Sequence, residues 1–377
     1  MSSPTPIPAP RQRDPYFDNV RGFLIILVVV GHLLSTVRSG SSGAVVAWIY
    51  AFHMPAFVAV TGYLSRGWSA TPQQCRALVM TLAVPFVVFQ TMHALLATLL
   101  RDKPFSVQFI DPAWTLWFLL AVIFWRVLTP VMRALRFPLI LALVLSVTAP
   151  LDAELDQRLS LARVLGFMPF YVLGVVTTPE RVARLRAALR PWMGWTVLAA
   201  AFVMAAATHH RFSTRLFFLD SAYEGDSPVR SMIVRVLVLG AGLVGLLAVL
   251  AISSGRRTWL TSIGQNTLHV YLVHALLLWP VRNTERLQAM DTVWHTAALV
   301  VAGTALAWVL SRRPVVSVVQ HLVNPPGLDR VLLRAAPPTP LGAAPAPSSA
   351  GTAPAGSSAP SPDAPVRADG DGSARRD

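Results

Sequence analysis

Charge is scarce in this sequence. Only 13% of its 377 residues are Asp, Glu, Lys or Arg, while 54% are hydrophobic and the mean hydropathy is +0.54. Soluble domains carry about 25% charge, so a water-soluble globule fits poorly and a polytopic membrane protein is the simple alternative. Cysteine is almost absent: the single Cys75 excludes an internal disulfide framework and a cysteine-based metal cage. Carboxylates are nearly missing from the apolar runs, with Asp18 only at an edge. That argues against a carboxylate-driven proton-coupled transporter and against a glycosyltransferase that needs an Asp or Glu base. No G-x-S-x-G nucleophile, Walker loop or dinucleotide fingerprint occurs in a usable context. Met1 to Asp14 is polar and proline-rich and lacks the apolar core and cleavage site of a secretory signal. The first apolar helix is therefore expected to stay as an anchor and as part of the fold.

What is present is a series of apolar runs of bilayer-spanning length. Ten are read, over 20–37, 44–64, 77–100, 114–131, 135–150, 159–177, 191–208, 229–252, 260–280 and 293–311, the fifth being the shortest. The sixth contains Arg163, which needs a protein or water partner. The net charge of +14 lies in short basic clusters between these runs. That is the pattern of loops facing anionic lipid and cytosol, not of a nucleic-acid surface. Loops after even-numbered runs hold Arg66 and Arg76, Arg133 and Arg136, Arg181 to Arg190, and Arg256 and Arg257; those after odd-numbered runs are mixed or acidic. The positive-inside rule then places both termini in the cytoplasm. The expected fold class is an all-α polytopic bundle of about ten transmembrane helices. Residues 1–16 are read as a disordered segment, 17–313 as the transmembrane domain and 314–334 as a membrane-proximal cytoplasmic segment. Residues 335–377, rich in Pro, Ala and Ser, cannot bury a core and are read as a disordered tail.

The first run carries the chemistry that stands out. From Arg21 to His32 is eleven helical steps, about 1100°, so the two side chains share a face roughly 16 Å apart along the axis. Ionisable groups are costly inside a bilayer and read as functional by default. A neutral imidazole can take a proton from a hydroxyl, and an arginine at the interface suits phosphate. The plain alternatives are a helix-packing hydrogen bond for His32 and snorkelling to lipid phosphate for Arg21. The second run supplies His53, with Pro55 two residues on and able to free a backbone carbonyl. The fourth begins with Trp114 and Trp117: Trp114 is assigned as an interfacial anchor, Trp117 as a pocket wall. The ninth carries Thr267, Tyr271 and His274 on one polar face. His32, His53 and His274 thus converge in depth. No His-x-x-x-His spacing or acidic ligand accompanies them, so no metal is expected.

Together these residues resemble acyltransferase family three of integral membrane proteins. Arg21-x(10)-His32, with Asp18-x-x-Arg21-Gly22 around it, looks like the family's first-helix motif. Phe52-His53-Met54-Pro55 with Thr61-Gly62-Tyr63-Leu64 is similar to its second-helix pattern, which usually has Ser in place of Thr61. Trp117-Phe118-Leu119 and Gly264-x-Asn266-Thr267-x(3)-Tyr271-x(2)-His274 are further echoes. The resemblance implies transfer of an acyl group, often acetyl, from a cytoplasmic donor such as acyl-CoA to a hydroxyl. Acceptors in the family include cell-surface polysaccharides, peptidoglycan, lipid-linked sugars and metabolites. It implies acyl-CoA as a donor substrate and no permanently bound cofactor. The family's loop Arg-x-x-Arg matches Arg181 and Arg184, though Arg133 and Arg136 fit the same spacing. Some members carry an extracytoplasmic hydrolase-like domain; none is read here, so transfer outside is expected to be direct or to use a partner. On this reading Arg21, helped by Arg181 and Arg184, holds the donor phosphates and His32 is the general base. His53, Tyr271 and His274 contact or orient the acceptor. Two rivals stay open: a transporter or flippase that moves its substrate without consuming acyl-CoA, and a non-catalytic scaffold indifferent to loss of Arg21 and His32.

Overall fold

The computed structural model describes residues 14–37, 40–102, 104–151, 160–220, 227–282, 284, 287, 289–290 and 292–333. The N-terminal segment up to residue 13, the acid-bearing stretches 152–158 and 224–226 and the tail from 335 lie outside the described residues.

Helix follows helix, and no strand occurs among the described residues. In order they are α1 (Pro15–Leu34), α2 (Gly40–Leu64), α3 (Pro72–Leu78), α4 (Val84–Arg101), α5 (Trp117–Ala134), α6 (Pro138–Thr148), α7 (Leu161–Val176) and α8 (Pro179–Ala188). Then come α9 (Pro191–Thr208), α10 (Pro228–Ile252), α11 (Trp259–Gln265), α12 (Thr267–Val281), α13 (Val293–Leu310), α14 (Arg313–Val323) and α15 (Leu328–Leu332). One π turn, Val79–Ala83, joins α3 to α4. Every one of the ten apolar runs falls on helix. Among the described residues, seven helical stretches are long and apolar enough to cross a membrane, or eight if the pair α7–α8, bent by 97°, is one span. The fifth and ninth runs map to shorter apolar helices, with α11 and α12 sharing the ninth. The chain is an all-α, multi-pass membrane protein.

The helix starts are written locally. The Asp14 carboxylate accepts from Tyr16 N at 2.9 Å, and Pro15 occupies the first helical position of α1. Thr71 and Gln74 form a reciprocal capping box before α3. Prolines at or next to the first position also open α4, α6, α8, α9, α10 and α14.

Helix α1 lies at the centre, buried along nearly its whole length against α2, α11, α12 and α13. Around α2 pack α7, α9 and α10. The periphery is apolar outward: α9 exposes Trp192, Trp195, Val203 and Met204, and α13 exposes Val293, Trp294 and Val301. A helix that buries little yet stays apolar outside is built for lipid.

Two devices, one of close packing and one polar, lock α11 to the head of α1. At the crossing, a Cβ on Gly22 would lie 2.2 Å from the Leu260 carbonyl oxygen and one on Gly264 1.8 Å from that of Asp18. The backbones therefore touch, as small residues permit in membrane bundles. Beside it the Asn19 amide donates to the Ser254 and Arg256 carbonyls, each at 2.7 Å, and accepts from the Thr258 and Thr261 hydroxyls at 2.8 and 2.7 Å. Asn19→Ala leaves these groups without their partner and is expected to lose about 2–3 kcal/mol of stability. A lowered unfolding midpoint of the detergent-solubilised protein, with an unchanged helical spectrum at low temperature, checks this.

Candidate functional site

Arg21, Ile25, Val28 and His32 recur on one face of α1, and all four line the same cavity of about 190 Å³. Its other walls include Met54, Phe57 and Thr61 from α2, Trp117, Phe118, Leu119, Val122 and Arg126 from α5, and Thr267 and Tyr271 from α12. A second cavity, about 480 Å³, also reaches His32 and is lined by Tyr50, His53, Trp114, Arg163 and Arg282 among others; it is called the outer cavity below, and the first the inner one. His32, Met54 and Trp117 line both. His32 thus stands where two cavities meet, one holding Arg21 and Arg126, the other holding Arg163 and Arg282.

At the first cavity's far end the Arg21 guanidinium pairs with Asp18, whose other carboxylate oxygen accepts from Gln265 Nε2 at 3.2 Å. Arg21 Nε is buried with no hydrogen-bond partner. Arg126, which the sequence reading passed over, has no carboxylate among its described partners; its Nε donates to Ser65 Oγ at 3.4 Å and its plane lies 5.7 Å from the Trp68 ring. The signal was available, since Arg126 interrupts an apolar run as Arg163 does. Arg163 has the partner it needs: Nε and Nη2 donate to Asp220 Oδ2 at 3.1 and 2.5 Å.

Around His32 the contacts are rings. Trp114 stands edge-on at 4.9 Å between centroids, His274 stacks at 5.6 Å and 26°, and Tyr50 lies at 6.4 Å. His53 stacks on Tyr50 at 5.0 Å, so it reaches His32 through that ring. The convergence in depth is thus a physical cluster. The three histidines are nonetheless unlike. In His53, Nδ1–H donates to the Ile49 carbonyl at 2.8 Å, which leaves Nε2 as acceptor on a ring that borders the outer cavity. In His274, Nδ1–H donates to the Val270 carbonyl at 2.9 Å, Nε2 is buried and unpartnered, and the ring lines neither cavity. No group of three His, Cys, Asp or Glu among the described residues is disposed to hold a metal.

Several sequence assignments change. Trp114, expected as an interfacial anchor, is a wall of the outer cavity in contact with His32. The cause lies in long-range bonds. Gln90, buried on α4, donates to the Gln108 and Asp111 carbonyls at 2.7 and 3.1 Å and accepts from Ala113 N at 2.9 Å, while the Tyr271 hydroxyl donates to the Thr115 carbonyl. These bonds turn the 108–117 segment inward. Tyr271 borders the inner cavity, its hydroxyl already occupied by Thr115, and His274 backs His32 without facing either space. Arg181 and Arg184 lie exposed on α8 and line neither cavity; Arg133 and Arg136 are exposed as well. Trp117 is the pocket wall expected, and it stacks on Phe167 at 5.6 Å. Arg282, just past α12, is half-buried over the Trp114 ring at 5.0 Å; burial pushes its guanidinium pKa down, and the Arg101 charge adds to that.

Comparison with known proteins adds an independent line. A family model described as an acyltransferase domain matches residues 14–312. The nodulation protein NolL of Sinorhizobium fredii (strain NBRC 101917 / NGR234) is 28% identical over 332 residues, 79% of this chain and 89% of that protein. The nodulation protein NolL of Mesorhizobium japonicum (strain LMG 29417 / CECT 9101 / MAFF 303099) is 32% identical over 186 residues, 43% of this chain and 47% of that protein. No solved structure matches.

Proposed function

Because this chain belongs to acyltransferase family three and is a membrane acyltransferase enzyme, we propose that it moves an acyl group, acetyl above all, from acyl-CoA to a hydroxyl of a carbohydrate, lipid-linked sugar or metabolite, with His32 as general base. The observation that carries this reading is the position of His32 at the junction of two cavities. A transferase that joins two substrates needs one group in reach of both, and His53 and His274 each lack one side or both.

The roles divide along α1. Arg21 and Arg126 hold the donor phosphates at the mouth of the inner cavity, where arginine forks suit phosphate oxygens. The pantetheine arm threads along Ile25 and Val28 and brings the thioester to His32. The acceptor hydroxyl enters from the outer cavity and passes its proton to the His32 imidazole as its oxygen attacks the thioester carbonyl. The tetrahedral intermediate collapses with breakage of the C–S bond, and the imidazolium returns the proton to the departing sulfur. Ester and free CoA result, with no net proton to export. Ten spans with both termini in the cytoplasm, in the cell membrane, put the donor mouth on the cytoplasmic side. Arg181 and Arg184 then serve at most as an outlying attraction for CoA, since they are exposed on α8.

Vesicles of defined orientation test this. Labelled acetyl-CoA is expected to be consumed, with release of CoA thiol, only when supplied to the cytoplasmic face. Substrate movement without CoA release would instead establish the transporter reading. Arg21→Ala and Arg126→Ala are each expected to raise the KM for acetyl-CoA on the order of tenfold, with a smaller change in kcat. An effect confined to acceptor affinity would remove them from the donor site.

A further inference from the structure

The outer cavity carries a cation that nothing described there neutralises. Its two arginines differ in this respect. Arg163 is spent on Asp220, through two donated hydrogen bonds. Arg282 has no carboxylate partner among the described residues, and no described residue lining the cavity is acidic. A half-buried guanidinium without a counter-ion has lost part of its hydration, and the Trp114 ring beneath it returns only part of that. It is a strong donor of paired hydrogen bonds to carboxylate or phosphate. The other polar groups on the walls, from Ser35, Ser42, Tyr50, His53 and Thr214, suit hydroxyls.

A second observation concerns the platform beneath that cation. Trp114 has φ of 38°, in the left-handed region that a bulky side chain seldom adopts. Such a conformation persists only when its surroundings over-determine it. Here Gln90 fixes the residues just before Trp114, and the Tyr271 hydroxyl fixes the Thr115 carbonyl just after. The strained turn puts one face of the structure to use twice: the indole meets the His32 ring and also carries Arg282. An anion gripped by Arg282 is held one ring away from the reacting imidazole.

We propose that the outer cavity selects an acceptor bearing an anionic group, carboxylate or phosphate, which Arg282 grips above Trp114 while a hydroxyl of the same molecule is presented to His32. The name acceptor rests on the acyl-transfer reading above; the anion site itself does not.

The test uses the full-length protein in nanodiscs and four probes: glucose, glucuronate, glucose 6-phosphate and adenosine 3′,5′-bisphosphate, the last standing for the phosphates of CoA. Thermal stabilisation of the protein reports binding. Glucuronate or glucose 6-phosphate is expected to stabilise where glucose does not, and the responding probe identifies carboxylate or phosphate. Arg282→Gln is expected to weaken that response on the order of tenfold or more, with Arg282→Lys recovering part of it. Adenosine 3′,5′-bisphosphate is expected to keep binding to Arg282→Gln and to lose binding in Arg21→Ala. Equal stabilisation by glucose and the charged sugars, no response to either, or an undiminished response in Arg282→Gln overturns the proposal. Release of CoA from acetyl-CoA is measured alongside. Arg282-dependent binding without CoA release leaves the anion site standing and sinks acyl transfer. CoA release equally stimulated by glucose and its charged analogues does the reverse.

Discussion

Replacing His32 by Ala is expected to reduce acyl transfer by roughly 10²- to 10⁴-fold, the usual worth of a positioned general base, in protein that inserts and folds normally. Neither neighbouring histidine can take over. The Nε2 of His274 is enclosed and its ring lines neither the inner nor the outer cavity. His53 borders only the outer cavity, with Tyr50 between it and His32. The ring also packs against Trp114 and His274, so a purely structural role must be separated from a chemical one. His32→Gln does this. It fills much of the same space and can hydrogen-bond, yet it cannot accept a proton at neutral pH. Both variants are expected to release almost no CoA from acetyl-CoA per folded molecule while keeping the KM for acetyl-CoA within a few fold. Near-normal transfer by His32→Gln would remove the general-base role. A normal unfolding midpoint with lost transfer, in either variant, would exclude packing as the explanation.

The face that joins Arg21 to His32 was legible because helical phase is a local property. Arg21, Ile25, Val28 and His32 are spaced to share a side whatever surrounds them, and all four border one cavity. The apolar runs were legible for the same reason, since length and composition decide them. Trp114 was not. Its sequence position at a run's edge is that of an anchor, and only bonds from Gln90 and Tyr271, distant in the chain, turn it inward. Arg282 escaped for a similar reason, since an arginine at a helix end ordinarily snorkels to water; the Trp114 ring that receives it comes from elsewhere. Arg181 and Arg184 are the opposite case: their spacing fits a motif, but they lie exposed on α8 and line neither cavity. Tyr271 divides the difference: it borders the inner cavity together with Thr267, while the atom expected to meet a substrate is committed to the Thr115 carbonyl.

The glycines of the shared pattern answer to contact, not chemistry, and Gly264→Ala is expected to have the largest effect of any single methyl group added to this protein. Its Cβ would sit 1.8 Å from the Asp18 carbonyl oxygen, 2.6 Å from the carbonyl carbon and 3.0 Å from Gly22 N. All three are backbone atoms of α1, so no side chain can swing aside. The helices must separate by an ångström or more. That separation pulls α11 from the Asn19 amide, which Thr258 and Thr261 engage, and shifts the Gln265 contact that steadies Asp18 beside Arg21. Overpacking of this kind costs about 3 kcal/mol or more where backbone cannot yield. We therefore expect Gly264→Ala to lower the yield of monodisperse protein sharply and, in what folds, to raise the KM for acetyl-CoA by disturbing Arg21. Gly240→Ala is the matched comparison, because nothing lies within 4 Å of a Cβ built there. Alanine is the better helix former by about 1 kcal/mol, so that variant should be neutral or slightly more stable. If the two variants behave alike in unfolding midpoint and donor KM, the close crossing of α1 and α11 does not set the position of Arg21, and the donor site must be held by other contacts.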